Sequence, residues 1–487
     1  MRIFIGYPPL QYKKGVPLLS QNRQFQWFSN PSYLFPVILG SAATFLKSKG
    51  HEVTWMDCIA ENISMEEFFR RIESKKPELF AFETKTPVIK QHWKTIERLK
   101  EKFPEMKIAI MGDHVTAFPE ESMKNSKVDF VLCGGDFDFS LANLCDWISG
   151  KEKLDKGVYY RKGKKILNSG KFCLKHNLDE LPFVDRELTK WKLYEKEYNL
   201  QGKPFFYIMS GRDCWWGKCK FCAWPTLFPK FRIRSIENVL DEIGMLIEKY
   251  GVKEIFDDSG TLMTGEWLKE LCNGLIEREY NKKISYSCNM RFRALSQEDF
   301  NLMKRAGFRL LKFGLESANQ KTLDKLNKGI NVQDIIDGCR MAKKAGLTVH
   351  LTMIVGYPWE NKEDAMRTFQ LAKQLMQSGR ADLLQATILV PYPGTPLWKE
   401  AKENSLFLFS PEQYERYDMR EPILKTENSN PEEIAAICGK IYTIFLTPSY
   451  IFQRTRNMRN WQDLMFNLKG VKAVFGHLRD FLPKREQ

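Results

Sequence analysis

No window of eighteen uninterrupted apolar residues occurs in this sequence, so a membrane-spanning helix is not expected. The opening residues, "MRIFIGYPPL", lack a basic segment followed by a long apolar stretch, so no secretory signal is expected either. Repeats of fixed period and low-complexity tracts are also missing. What remains is an ordinary globular composition, 43% hydrophobic and 28% charged over 487 residues, too long for one small core and suited to several domains. Cysteine pairing finds no support. The eleven cysteines are an odd number, and Cys133, Cys145, Cys272, Cys288, Cys339 and Cys438 lie singly in apolar stretches, as reduced residues of a cytoplasmic protein do. The formal charge of +15 favours an anionic partner, whether nucleic acid, membrane surface or phosphorylated substrate. A lysine-rich solvated surface accounts for it equally well.

Strand and helix patterns alternate through residues 1–148. "RIFIGYP", "EVTWMD", "LFAFET", "KIAIMG" and "DFVLCG" are short β-rich runs separated by amphipathic stretches, which predicts a Rossmann-like parallel sheet with right-handed crossovers. Ligands of such sheets lie outside the carboxyl ends of the strands. Those ends carry Tyr7, Asp57, Glu83-Thr84, Gly112-Asp113-His114 and Gly134-Gly135-Asp136. Residues 149–199, with the strand pair "GVYYRKGKKI" and a polar connector, read as a linker. A second series, "FFYIMS", "EIFDDSG", "ISYSCNM", "LLKFGLES", "TVHLTMIVGYP" and "LLQATILVPYPGTP", fills residues 200–400. Ser235 and Ser296 give helix-capping signals between these strands. Six such units predict a partial (β/α)6 barrel with its chemistry at the C-terminal strand ends. Residues 401–487 read as a helical region mixing aromatics with Arg454, Arg456, Arg459, Lys469, Lys472 and Arg479.

Only Cys214, Cys219 and Cys222 cluster, as C-x4-C-x2-C just after the first strand of the second series. A closed structural zinc site needs a fourth Cys or His, yet the next cysteine is Cys272 and no histidine lies between His176 and His350. Three thiolates suit a [4Fe–4S] cluster that leaves one iron open. Such an iron accepts S-adenosylmethionine (SAM) for reductive cleavage, with the protein supplying orientation and a dry site.

The motifs around the cluster resemble the radical SAM superfamily, in its branch with an N-terminal cobalamin-binding-type domain. "CKFCAW" with "FRIRSIENVLDEI", "KEIFDDSGTLM", "FGLESANQKTLDKLNKG", "IVGYPWENKED" and "PYPGTPLW" follow the order of that family over about residues 200–400. The resemblance implies that Cys214, Cys219 and Cys222 ligate the cluster and that Phe221 packs on the SAM adenine. It places Asp257, Asp258 and Ser259 at the methionine amino group, and Glu316 and Ser317 at the SAM ribose and carboxylate end. Ile354 and Gly356 would line the adenine pocket. One departure is the extra residue between the first two cysteines, Gly217 or a neighbour, against the usual C-x3-C-x2-C; glycine absorbs an insertion through unusual dihedrals.

"GDHVTAFPEESMKNSKVDFVLCGGDFDFSL" is similar to the cobalamin-binding domains of this branch, which implies corrinoid contacts at Gly112, His114, Gly134 and Gly135. The D-x-H-x-x-G motif is absent, Asp57 being followed by Cys58-Ile59, so no histidine ligates cobalt there. The tail resembles hopanoid- and lipid-associated radical SAM proteins, and a basic, aromatic amphipathic helix suits an anionic membrane interface. The expected function is cobalamin-dependent methylation of an unactivated carbon in a lipid or isoprenoid-type substrate. The alternative is cobalamin-independent C–C or C–O bond formation or cyclisation on a lipid or polyol head group. The implied partners are a small-molecule or lipid substrate and an electron donor such as flavodoxin or ferredoxin. The expected location is the cytoplasm, with peripheral contact at the inner face of the membrane. Nucleic acid is not the expected partner, because tRNA methylthiotransferases carry a further upstream three-cysteine set that this sequence lacks.

Overall fold

The computed structural model describes residues 1–10, 15–17, 19, 25–28, 31–195, 200–427, 429–456 and 470. The first sheet has seven strands: β1 (Arg2–Tyr7), β2 (Glu52–Asp57), β3 (Leu79–Glu83), β4 (Lys107–Met111), β5 (Phe130–Leu132), β6 (Val158–Lys162) and β7 (Lys165–Asn168), in the spatial order β2-β1-β3-β4-β5-β6-β7. The first five are parallel, as the alternation predicts. The hairpin β6–β7 joins antiparallel to β5, so residues 158–168, expected within a linker, extend the first sheet and cover its edge. The order reverses between β1 and β3, and the crevice outside that switch point is where ligands of doubly wound sheets bind.

The second sheet runs β8 (Phe205–Ile208), β9 (Glu254–Asp257), β10 (Ser285–Met290), β11 (Phe308–Glu316), β12 (Thr348–Val355) and β13 (Leu383–Ile388), all parallel and in sequence order. This is the expected partial barrel. Its helices start where the sequence signals them: the Ser235 side chain accepts from Asn238 N–H, and Ser296 forms a capping box with Asp299. Side chains alternate along each strand. Leu311, Phe313, Leu351, Met353, Leu384 and Ala386 pack outward against Leu268, Phe300, Ile335 and Phe369 of the surrounding helices. Leu310 and Ile354 point inward, into the cluster that holds Phe205, Tyr207 and Phe256. That inward cluster is continuous with the core of the first sheet, so the two domains share one apolar seam.

The chain after Pro396 returns across the first domain. Tyr414 donates to Glu121 at 3.0 Å, and its ring meets His114 edge-on at 4.7 Å. Helices follow at Pro431–Ile441 and Pro448–Arg456. The tail expected at the membrane, with Arg459, Lys469, Lys472 and Arg479, lies outside the described residues. Among the described residues no single helix is long and apolar enough to cross a membrane.

Candidate active site

Cys214, Cys219 and Cys222 take part in no disulfide and are each half-buried on the loop that follows β8. No three Cys, His, Asp or Glu among the described residues are close enough to hold a single ion, so the thiols do not converge on a tetrahedral zinc site. A cluster asks for something different, since each thiolate then binds a different iron.

The loop is held from four sides. Asp213 accepts from the Gly260 N–H beyond β9, and its own backbone oxygen takes the same donor at 2.9 Å. Trp215 donates through Nε1 to the Leu262 carbonyl at 3.1 Å, and Trp216 to the Asn327 carbonyl at 2.9 Å. Arg291, at the end of β10, lies 4.0 Å from the Trp216 ring centroid and 5.8 Å from that of Trp215. The two tryptophans therefore staple the loop to its neighbours. Gly217 takes a left-handed φ of +57°, the conformation that lets the extra residue fit.

The fourth hold comes from the first domain. Arg212 is buried and pairs with Asp138 and, at 3.1 Å, with Asp136; Arg232 also grips Asp136 at 2.6 Å. Burial alone would raise the Asp136 carboxyl, but the His176 hydrogen bond and the two arginine charges outweigh it and hold it well below the usual range. In this way the loop after β5, "GGDFD", is locked to the cysteine loop. Gly135 adds to the lock: a Cβ there would sit 2.1 Å from the Phe228 ring, and its N–H donates to Leu227.

Above the thiols lies a charged pair. Glu316 has a left-handed φ of +60°, a strained conformation for a non-glycine residue. Its carboxylate accepts from Lys328 at 2.7 Å, both groups buried. The pair lies over Gly314, where a Cβ would meet both side chains. Enclosure pushes the Cys219 thiol up to about 11, while the Lys328 and Arg291 charges pull it down. Two cations beside the thiols suit a donor set that carries net negative charge when it binds metal.

The other expected contacts divide. Phe221 is half-buried against the inward cluster that includes Ile354 and Tyr357. The Gly356 Cα faces Ile434 and Ile388, with a left-handed φ of +87°. Asp257 is spent on structure: it accepts from Tyr286 at 2.8 Å, from Ser259 Oγ at 2.6 Å and from the Ser210 N–H. Ser259 Oγ in turn accepts from the Gly211 N–H. Asp258, half-buried beside Asn289, is the carboxylate of this motif left facing the barrel interior. Ser317 does not face the thiols; it donates to buried Glu360 at 2.7 Å. Arg212, Arg291, Lys328 and Tyr357 were not anticipated. Arg291 and Tyr357 follow strand ends, where the barrel rule directs attention.

At the first sheet, Tyr7 and Glu83 meet at the switch point, the hydroxyl donating at 2.7 Å. Burial pushes the Glu83 carboxyl up to about 7, against the pull of Lys85. Burial likewise pushes Asp57 up to about 6, although the Ala60 N–H and Tyr194 donate to it. Gly112, with φ of +131°, passes so close to Thr84 that a Cβ would lie 2.1 Å from its carbonyl oxygen. Gly134 is covered by the Phe172 ring, and His114 is fully buried with its ring nitrogens against Thr86 and Glu121. In this structure His114 and Gly134, expected at a ligand, make these contacts within the protein.

An open six-stranded barrel bearing three clustered cysteines after its first strand, docked on a doubly wound sheet, defines a two-domain α/β enzyme with a cysteine-held cofactor. Residues 208–372 match the model of the radical SAM superfamily, and residues 31–136 that of the B12 binding domain. The chain therefore combines a radical SAM domain with an N-terminal B12-binding domain. Its domains imply a [4Fe–4S] cluster and SAM for the barrel, and cobalamin for the first sheet. An uncharacterised methyltransferase of Pyrococcus horikoshii is 28% identical over 425 residues, 86% of this chain and 89% of that protein. The hopanoid C-3 methylase of Methylococcus capsulatus is 24% identical over 444 residues, 89% of this chain and 78% of that protein. The cobalamin-dependent SAM radical enzyme OxsB, solved with aqua-cobalamin and SAM bound, superposes with a TM-score of 0.68 at 12% identity, over 98% of this chain and 71% of that one.

Proposed function

We propose that this enzyme methylates an unactivated carbon of a lipid or isoprenoid-type substrate. The observation that carries the reading is the set of three half-buried thiols on a braced loop, beside Arg291 and Lys328 and locked to the first domain through Arg212. A cluster held on these thiols would supply the electron that cleaves SAM, and a corrinoid over the first sheet would supply the methyl carrier. Cys214, Cys219 and Cys222 would hold the cluster, and Phe221 and Ile354 would flank the adenine. Asp258 and Glu316 would orient the amino and ribose groups of SAM. Tyr7, Glu83 and Gly112 stand at the edge over which a corrinoid would lie. The lipid reading is supported by the similarity to the hopanoid methylase. Exposed Leu446, Ile451 and Phe452 near the C-terminal helices also favour an apolar contact.

The test is anaerobic reconstitution with iron and cobalt measured on one sample. The expected result is about four irons per chain, lost in Cys222→Ala, together with bound cobalt. Turnover with a lipid extract should release S-adenosylhomocysteine alongside 5′-deoxyadenosine. Product formed without S-adenosylhomocysteine, on a chain that holds no cobalt, would replace methylation by bond formation or cyclisation.

A further inference from the structure

The interior of the barrel has two unlike walls. On β8 and β9 the inward residues are Phe205, Tyr207 and Phe256, all buried, with Tyr207 and Phe256 rings 5.7 Å apart. On β10 to β13, Leu310 and Ile354 apart, a polar row points inward. Strand register puts Asn289 beside Lys312 and Lys312 beside His350, and one row higher puts Gly314 beside Thr352 and Thr352 beside Gln385. Asn289, Lys312, Thr352 and Gln385 are half-buried although they line the inside of the barrel, so the interior on this side is not filled by packing.

His350 is the exceptional member. It is 1% exposed, and neither ring nitrogen has a hydrogen-bond partner. A buried polar group without a partner is costly, so it calls for an explanation. Its outward neighbours Leu351 and Val349 pack on the helices, so the ring itself points inward, next to the Lys312 ammonium. Two carboxylates border this interior: Glu254 at its floor is held by Arg309 and accepts from Ser287 at 2.8 Å, and Asp258 accepts from the Asn289 amide at 3.4 Å.

We propose that Lys312 and His350, with Thr352 and Gln385 above them, form the recognition site for an oxyanion on the substrate, a carboxylate or a phosphate. The apolar part of the same molecule then lies against Phe205, Tyr207 and Phe256. Lys312 supplies the charge and the His350 ring a directed hydrogen bond, while the Asn289 amide is committed to Ser259 and Asp258 at the edge of the site. The site rests on the reading of the barrel as a radical SAM reaction chamber, and it narrows the substrate to an amphiphile with an anionic end.

The test uses the full chain, reconstituted with iron and loaded with SAM, and titrates it calorimetrically with inorganic phosphate and, separately, with benzoate. Saturable binding of at least one probe is expected, weakened by at least about tenfold in Lys312→Met and in His350→Leu. His350→Gln, which keeps a donor and an acceptor, should retain most of it. Iron content and SAM affinity should not change in any variant, and His350→Leu should melt no lower than the wild type. No saturable binding by the wild type, or equal binding by the variants, overturns the proposal. Equal weakening of SAM and probe would assign the site to the methionyl carboxylate of SAM and would overturn a substrate site. A chain that holds iron and SAM but fails with both probes overturns this inference alone; one that holds neither overturns the radical SAM reading beneath it.

Discussion

The two parallel sheets of this chain both end their strands in polar side chains, and they finish those ends in opposite ways. At the first sheet, Asp57 is met by Tyr194, Glu83 by Tyr7, and His114 by Thr86 and Glu121. In the barrel, both His350 nitrogens, the Tyr357 hydroxyl and the Thr387 hydroxyl are buried without partners. Most of the first edge is paired within the protein, with His92 Nε2 beside Thr84 an exception, and a broad, planar cofactor would lie over such a surface. The second is incomplete, and its open valences are what small polar ligands fill.

Substitutions should separate the two. The largest effect is expected at the junction, where Arg212→Ala leaves Asp136 and Asp138 buried beside one remaining arginine. Removing one partner of a buried pair costs about 3–5 kcal/mol, read as a lower denaturation midpoint together with a loss of reconstituted iron. Wild-type iron content in a destabilised variant would break the link between lock and loop. Glu83 gives a pH-dependent effect of about 3 kcal/mol. Its folded pKa is raised from 4.5 to about 7, so it costs nothing below about 4.5 and progressively more as pH rises through about 7. Glu83→Gln should therefore match the wild type in acid and exceed it in stability above neutrality, as urea midpoints across that range would report. Gly135→Ala forces a methyl into the Phe228 ring and should cost about 1–3 kcal/mol. Tyr357→Phe should be smallest in stability, within about 0.5 kcal/mol, because its hydroxyl has no partner to lose. It should weaken SAM binding instead, since the hydroxyl lies within the field of Glu316 and Cys219. A large loss of stability in Tyr357→Phe would erase the contrast between the edges.

The barrel was legible because each strand carries its own local pattern, and the thiols because three cysteines fall within nine residues. Caps at Ser235 and Ser296 were legible for the same reason: partner and signal are three residues apart. What escaped is non-local. Arg212 meets Asp136 and Asp138 across 76 and 74 residues, and Ser317 is drawn away to Glu360 across 43. The hairpin at 158–168 read as a linker because its sheet lies behind it in sequence, and nothing within the hairpin names that partner. Gly134 and Gly135 matched a cofactor pattern, yet the rings that crowd them belong to Phe172 and Phe228. His350 is an isolated histidine in an apolar run until strand parity turns it inward.

The ion cluster around Arg212 also sets a timetable. The carboxylates that steady the cysteine loop belong to a domain that leaves the ribosome before the barrel does. The cysteine loop gains this brace only where the first barrel strand meets the folded first domain. A barrel produced alone would offer its thiols on a loop whose buried arginine has lost both counter-charges.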